Sequence, residues 1–146
     1  MRRVVAIKQL KKLVLDASVA IAWCFEDEAT PETEGILDLL GKGTTVVVPA
    51  VWPLEVANAM LSAERKKRMT VAQATAFLAR IAGFPISIDA MPLGRAFDQV
   101  LSVGRQHRLT AYDAAYLELA LRETLPLATL DADLRRSAGS AGVVLV

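Results

Sequence analysis

Four acidic residues occupy positions at which α/β proteins commonly carry chemistry: Asp16, Glu55, Asp113 and Asp131. Asp16 closes the apolar run at residues 13–15, which predicts a strand. Ligands in open α/β sheets bind outside the carboxyl ends of the strands. Asp131 follows a second predicted strand at 125–129, and Glu55 and Asp113 lie in the opening turns of helices that start at the same edge. If the two strands are neighbours, the four acids converge on one crevice.

A cluster of carboxylates indicates a divalent metal site. Carboxylates without basic partners repel one another, and a bound cation removes the repulsion. Mg²⁺ and Mn²⁺ take oxygen ligands, whereas zinc favours His and Cys, of which the chain has one each. Such a site suits phosphodiester hydrolysis, because the metal lowers the pKa of a bound water and orients the phosphate oxygens.

Three of the acids also have a purely structural interpretation as helix caps. Asp16 or Ser18 can accept a backbone N–H at the start of the helix that follows. Thr110 and Asp113 have the spacing of a capping box, and Asp131 stands where an N-cap is expected. Taken one at a time, Asp16 is as well explained by capping as by chemistry, and Asp113 and Asp131 are better explained by capping than by metal binding.

Glu55 is harder to explain in structural terms. It is the one ionised residue in the segment 50–61, which is otherwise largely apolar. Together with Asn58 and Ser62 it forms a narrow polar stripe at helical spacing. A solvated helix face normally carries more charge, so we expect Glu55 to face a partner.

Strands and helices alternate along the whole chain. Predicted strands cover 13–15, 45–48, 85–88, 125–129 and 143–146. Predicted helices cover about 17–25, 31–41, 53–68, 70–82, 92–107, 111–123 and 131–137. This order predicts a three-layer α/β/α domain with a central, mostly parallel sheet of four to five strands and right-handed crossovers.

Length and composition indicate one domain. The chain has 146 residues, 53% of them apolar and 5% aromatic, which fits a sheet covered by helices on both faces. We place the domain at 13–146 and assign 1–12 to an N-terminal extension of unknown role. The net charge of +1 indicates neither binding nor exclusion of nucleic acid. Without the four candidate acids, however, the chain has 17 basic and 12 acidic residues.

The single cysteine and the absence of a long apolar run indicate a cytoplasmic protein. Cys24 can form no internal disulfide and lies in an apolar segment, as expected for a buried thiol in a reducing compartment. No apolar run approaches the roughly 18 residues that a membrane span requires.

Four spaced sequence blocks together resemble a known family. They are 13–18 (LVLDAS), Glu55 with Asn58, 109–117 (LTAYDAAYL) and 127–134 (LATLDADL). In this order they resemble PIN-domain ribonucleases, most closely the VapC-type toxins of bacterial type II toxin–antitoxin systems. The resemblance implies a Mg²⁺- or Mn²⁺-dependent endoribonuclease, a hydrolase that cuts tRNA, rRNA or mRNA. It also implies a homodimer held inactive by a VapB-like antitoxin.

The resemblance also implies residue roles. Asp16, Glu55, Asp113 and Asp131 correspond to the metal-site and catalytic acids of the family. The implied accessory residues of the cleft are Ser18, Asn58, Thr110 and Thr129. Asp133 lies two residues beyond Asp131 and is the alternative for the fourth acid.

Three other classes of protein remain to be weighed. A phosphoacceptor receiver domain needs a late lysine, and no lysine follows Lys67. A haloacid-dehalogenase-like phosphatase needs an Asp at the position of Ser18. A catalytically silent binding module with a PIN fold would keep the elements without the activity.

The basic run 65–68 is either a solvated helix end or a site that binds RNA phosphate.

Overall fold

Four parallel strands form the centre of the structure, a computed structural model that describes residues 10–146. They are β1 (Lys12–Leu15), β2 (Thr45–Pro49), β3 (Ile86–Asp89) and β4 (Leu127–Ala128). The strand order is β3-β2-β1-β4, so that β1 is flanked by β2 and β4. Because parallel strands need long crossovers, each is joined to the next through helices.

The helices cover the sheet in a three-layer α/β/α arrangement, as the sequence predicts. Those before β3 are α1 (Ala17–Ala22), α2 (Pro31–Gly41), α3 (Trp52–Arg65) and α4 (Val71–Ala82). After β3, α5 (Leu93–Arg95) continues through a π-helical segment (Ala96–Val100) into α6 (Leu101–His107). The remaining helices are α7 (Ala111–Glu123) and α8 (Ala132–Ala141).

The predicted fifth strand at 143–146 is wrong as a full strand. Within the described residues this segment contributes a single parallel bridge between Leu145 and Leu127. The backbone bonds from Leu127 to Val144 and from Val146 to Leu127 are formed, at 2.9 and 3.0 Å. Because β4 is only two residues long, it offers the C-terminal segment too few backbone partners for a full strand.

The described residues begin inside the predicted extension. Residues 1–9 of that extension lie outside the described part of the chain. The Thr44 hydroxyl donates to the Leu10 carbonyl at 2.7 Å, and Lys12 pairs with Thr45 in the sheet. The boundary between extension and domain at residue 13 stays a prediction.

The core consists of the central strands and the inward-facing residues of the helices, among which α7 has the longest buried run. Leu13, Val14 and Leu15 of β1 are fully buried, as expected of a strand that is covered on both faces. Helix α7 is buried from residue 114 to residue 120 and contacts β1, β2 and β4. The rigid pairing of β1 with β4, through Leu15 and Ala128, brings the carboxyl ends of these two strands together.

An ion-pair network fixes α7 to the edge strand β3. Glu118, only 5% exposed, binds Arg122 at 2.9 Å. Arg122 also binds Asp89 at the end of β3 at 2.6 Å, and Arg95 reaches the same carboxylate at 3.2 Å. The network therefore compensates a buried charge and holds α7 in place.

We expect Arg122→Met to lower the free energy of unfolding by about 2 kcal/mol, because it leaves the buried Glu118 without its cation. Urea unfolding measures the loss. Arg136→Met is the matched control, since its pair with Asp133 is exposed on both sides (61% and 65%) and should contribute less than about 0.5 kcal/mol. Equal losses in the two variants would contradict this account.

Candidate functional site

Asp16 is held by two hydroxyl groups at the carboxyl end of β1. Its side chain is buried, with 5% of the residue exposed. Oδ2 accepts a hydrogen bond from Ser18 Oγ and another from Thr129 Oγ1, both at 2.7 Å. Asp16 occupies the N-cap position of α1. Among the residues that the structure describes, however, its side chain makes no helix-capping hydrogen bond. Capping therefore does not explain Asp16, and its carboxylate is fixed in orientation by side chains instead.

The same two hydroxyls fold the segment after β4 onto Asp16. Ser18 Oγ accepts from the Leu130 amide at 3.0 Å, and Thr129 Oγ1 accepts from the Asp131 amide at 3.0 Å. Each hydroxyl thus donates to Asp16 and accepts from the backbone that carries Asp131. The two acids are brought together by this arrangement.

Asp131 also caps a helix, as the sequence predicts. Its Oδ2 accepts from the Leu134 amide at 2.8 Å at the start of α8. A carboxylate can accept about four hydrogen bonds or ligand contacts, so the cap does not preclude binding a cation. The alternative acid, Asp133, is exposed and pairs with Arg136 at 2.7 Å. The hydrogen bonds thus connect Asp131, rather than Asp133, to Asp16.

Glu55 faces a partner, as its isolation in an apolar segment predicts. It lies in the first turn of α3 and is half-buried. Its Oε1 accepts a hydrogen bond from the Tyr116 hydroxyl at 2.7 Å. Asn58, one turn further along α3, is exposed.

Sequence reasoning missed Tyr116 as part of this site. Tyr116 is fully buried in α7, and its hydroxyl also accepts from the Ala17 amide at 3.4 Å. Its position three residues after Asp113 could have indicated a role in the site, because this spacing places Tyr116 and Asp113 on one helix face. A buried tyrosine in an apolar helix also needs a partner for its hydroxyl.

Asp113 lies at the start of α7, where Thr110 caps the helix. Thr110 Oγ1 accepts from the Asp113 amide at 3.2 Å, which is the first half of the predicted capping box. Asp113 itself is half-buried, whereas Thr110 is exposed. The cap explains Thr110, whereas the Asp113 carboxylate experiences the charges of Asp131 and Asp16.

Burial and nearby carboxylates raise the pKa values of Asp16, Glu55 and Asp113. Burial is the main cause for Asp16, whose pKa is raised further by the charge of Asp131. Burial also raises the pKa of Glu55, with added repulsion from Asp16 and Asp113. The pKa of Asp113 is raised by burial and then by Asp131 and Asp16. Asp16 therefore interacts electrostatically with each of the other three predicted acids.

The donor set fits a hard divalent cation. All the candidate ligands are carboxylate and hydroxyl oxygens, which Mg²⁺ and Mn²⁺ prefer. Among residues 10–146, no group of three or more acids, histidines or cysteines is placed so that it could hold a metal ion. Mg²⁺ is commonly held by one or two carboxylates and keeps several waters. The chemistry of these oxygen donors therefore suits such an ion.

The basic run 65–68 lies away from the acids. It follows the end of α3, and ten residues separate Glu55 from Arg65, a rise of about 15 Å along a helix. The Arg68 guanidinium lies 4.0 Å from the centre of the Phe25 ring and pairs with Asp27 at 3.5 Å. These contacts favour the structural interpretation of Arg68.

Residues 13–140 match the family model of the PIN domain, and the chain belongs to this family. The match decides against the receiver-domain and phosphatase alternatives. A search of curated proteins finds no significant match. Among the residues that the structure describes, no helix combines the length and apolar character needed to cross a bilayer.

Solved structures share the fold at low sequence identity. PAE2754 from Pyrobaculum aerophilum has a TM-score of 0.68 at 22% identity, covering 88% of this chain and 84% of that one. VapBC2 from Rickettsia felis, bound to a DNA fragment from its promoter, has a TM-score of 0.64 at 14% identity, covering 92% and 97%. Mycobacterium tuberculosis VapC20, a sarcin-ricin loop cleaving toxin, has a TM-score of 0.63 at 14% identity, covering 92% and 98%. The fold is that of VapC toxins.

The raised carboxyl pKa values predict a stability that falls with rising pH. The pKa values of Asp16, Glu55 and Asp113 are higher in the fold than the ordinary values of 3.8 to 4.5, so the folded state binds these protons more tightly than the unfolded chain. The free energy of unfolding should therefore decline as the pH rises from about 4 through the raised values. Urea titrations from pH 4 to pH 7 with a chelator present measure this.

Asp16→Asn is the variant that isolates this effect, since the amide is isosteric and uncharged. Without metal it should be more stable than wild type at pH 7, with a smaller difference at pH 4. A deficit that grows toward pH 7 would contradict the account.

Proposed function

We propose that this protein is a metal-dependent endoribonuclease toxin of a toxin–antitoxin system. The observation that carries the proposal is the set of hydrogen bonds made by the Ser18 and Thr129 hydroxyls. Both hydroxyls donate to Asp16 and accept from backbone amides of the segment that carries Asp131. Glu55 and Asp113 also interact electrostatically with Asp16. Membership of the PIN family and the RNA-cleaving activity named for VapC20 support RNA as the substrate.

The acids would share the work of holding Mg²⁺ or Mn²⁺. Asp16 would be the main ligand, because its orientation is fixed by two hydroxyl bonds to a single oxygen. Asp131, Glu55 and Asp113 would complete the site directly or through water. A bound divalent cation would lower the pKa of a water molecule and offset the charge that develops on the phosphate.

The chain's own groups prepare the cleft for this chemistry. Ser18 and Thr129 keep the Asp16 carboxylate from rotating, so that little reorganisation is needed when a cation binds. Mutual repulsion raises the free energy of the empty cleft, and this favours uptake of a positive ion. Thr110 keeps Asp113 at the rim by capping α7, and Asn58 offers a polar side chain near Glu55.

The proposal extends to partners and location. The substrate would be tRNA, rRNA or mRNA, and the active form would be a homodimer in the cytoplasm. A VapB-like antitoxin would inhibit it, as the toxin–antitoxin assemblies with the same fold suggest. The domain would span 13–146.

A catalytically silent PIN-fold binding module is the second candidate. It is favoured by one observation, that no three potential ligands among residues 10–146 are already gathered around a single point. Such a module would bind RNA or protein through the same surface without cleaving phosphodiester bonds. Metal binding and cleavage separate the two candidates.

Asp16→Asn should abolish cleavage, with a loss of at least about a hundredfold, and should eliminate Mn²⁺ binding, because it removes the best-oriented charge. Cleavage of a fluorescent single-stranded RNA and calorimetric titration with Mn²⁺ measure the two effects. Asp131→Asn should weaken both.

Asp133→Asn is the matched control, since this acid is exposed and paired with Arg136. It should leave cleavage and Mn²⁺ affinity unchanged. An Asp16→Asn protein that cleaves at the wild-type rate would refute the nuclease proposal, and Mn²⁺ binding without any cleavage by the wild type would favour the binding module.

Expression of the chain alone should arrest bacterial growth, and Asp16→Asn should relieve the arrest if it arises from cleavage. Co-expression of the neighbouring antitoxin gene should restore growth of the wild type. Growth curves together with mapping of RNA ends after induction provide the measurement. Harmless accumulation of folded wild-type protein would count against the toxin assignment.

A further inference from the structure

The Tyr116 hydroxyl connects two parts of the site that belong to different elements. It donates to Glu55 Oε1 on α3 at 2.7 Å. It accepts from the amide of Ala17, the residue after Asp16, at 3.4 Å. The ring itself belongs to α7 and is fully buried. One oxygen atom therefore bridges three elements of the cleft.

Packing alone does not account for this hydroxyl. Tyr116 lies among buried apolar residues of α7, with Ala115 and Leu117 on either side. A phenylalanine would fill nearly the same volume without a polar atom, and burying an unbonded hydroxyl is unfavourable. The hydroxyl is therefore tolerated because Glu55 and the Ala17 amide satisfy it. A bond from a neutral donor to a carboxylate is also stronger than one between neutral groups.

The bridge connects the Glu55 carboxylate to the backbone immediately after Asp16. Helix α7 is buried from residue 114 to residue 120 and packs on β1 and β2, so the position of the ring is fixed by the core. The Ala17 amide is fixed in turn by the start of α1. Glu55 is the one flexible side chain of the three partners. The position of the Glu55 carboxylate is therefore determined by the Tyr116 hydroxyl as well as by the backbone of α3.

We propose that Tyr116 is a positioning residue that holds the Glu55 carboxylate on the Asp16 side of the cleft. This inference rests on the proposed nuclease function and deepens it. Tyr116 touches neither substrate nor the reacting atoms, and it keeps its proton throughout. Its contribution is to prevent Glu55 from swinging toward solvent, so the effect should fall on metal use rather than on RNA binding.

Tyr116→Phe is the test, because it removes the hydroxyl and keeps the ring. The Mn²⁺ concentration for half-maximal cleavage should rise at least about tenfold, as for other groups that orient metal ligands, while the KM for RNA stays within about twofold of wild type. Tyr112→Phe is the matched control: Tyr112 lies one turn earlier on α7 and is 63% exposed. It should leave both values unchanged.

A second measurement does not depend on activity. In protein labelled with ¹³C at glutamate carboxyl carbons, the Glu55 signal is assigned by its disappearance in Glu55→Gln. Tyr116→Phe should shift this signal and Tyr112→Phe should not. If the wild type does not cleave RNA, the proposed function fails, and the carboxyl signal still reports whether Tyr116 orients Glu55. An unmoved Glu55 signal, or the same Mn²⁺ dependence in both tyrosine variants, overturns the positioning role.

Discussion

The burial of a single carboxylate, that of Asp16, is the constraint on which the site depends. A buried acid at the end of a strand is unfavourable unless other groups bind it. Ser18 and Thr129 meet this need with hydroxyl donors, and each also accepts a backbone amide from the Asp131 segment. The groups that make Asp16 tolerable are thus the same groups that assemble the cleft.

The backbones that carry the acids are fixed by the fold, although the ionised acids repel one another. The pairing of β1 with β4 and the burial of α7 fix the backbones that carry the acids. Burial and mutual repulsion meanwhile raise the pKa values of Asp16, Glu55 and Asp113. Burial and repulsion of ionised acids are unfavourable for stability, a cost that functional sites commonly carry.

Sequence patterns predicted most of the fold because they are local. The continuous apolar runs of β1 and β2 indicated central strands, and the cap signals before α7 and α8 were confirmed by bonds from the Asp113 and Leu134 amides. The strand at 143–146 was wrong in extent, since its pairing depends on the length of β4 rather than on its own residues. A propensity for strand does not specify a partner.

The sequence by itself determined the order of the elements and the presence of acids at their ends, because hydrophobic period and capping chemistry act over a few residues. Only the tertiary structure decided which hydroxyls bind Asp16 and Glu55. Thr129 and Asp16 are 113 positions apart, and Tyr116 and Glu55 are 61 positions apart. Such bonds depend on strand order and on how α7 packs against the sheet. No pattern of neighbouring residues specifies the direction of a buried hydroxyl across that distance.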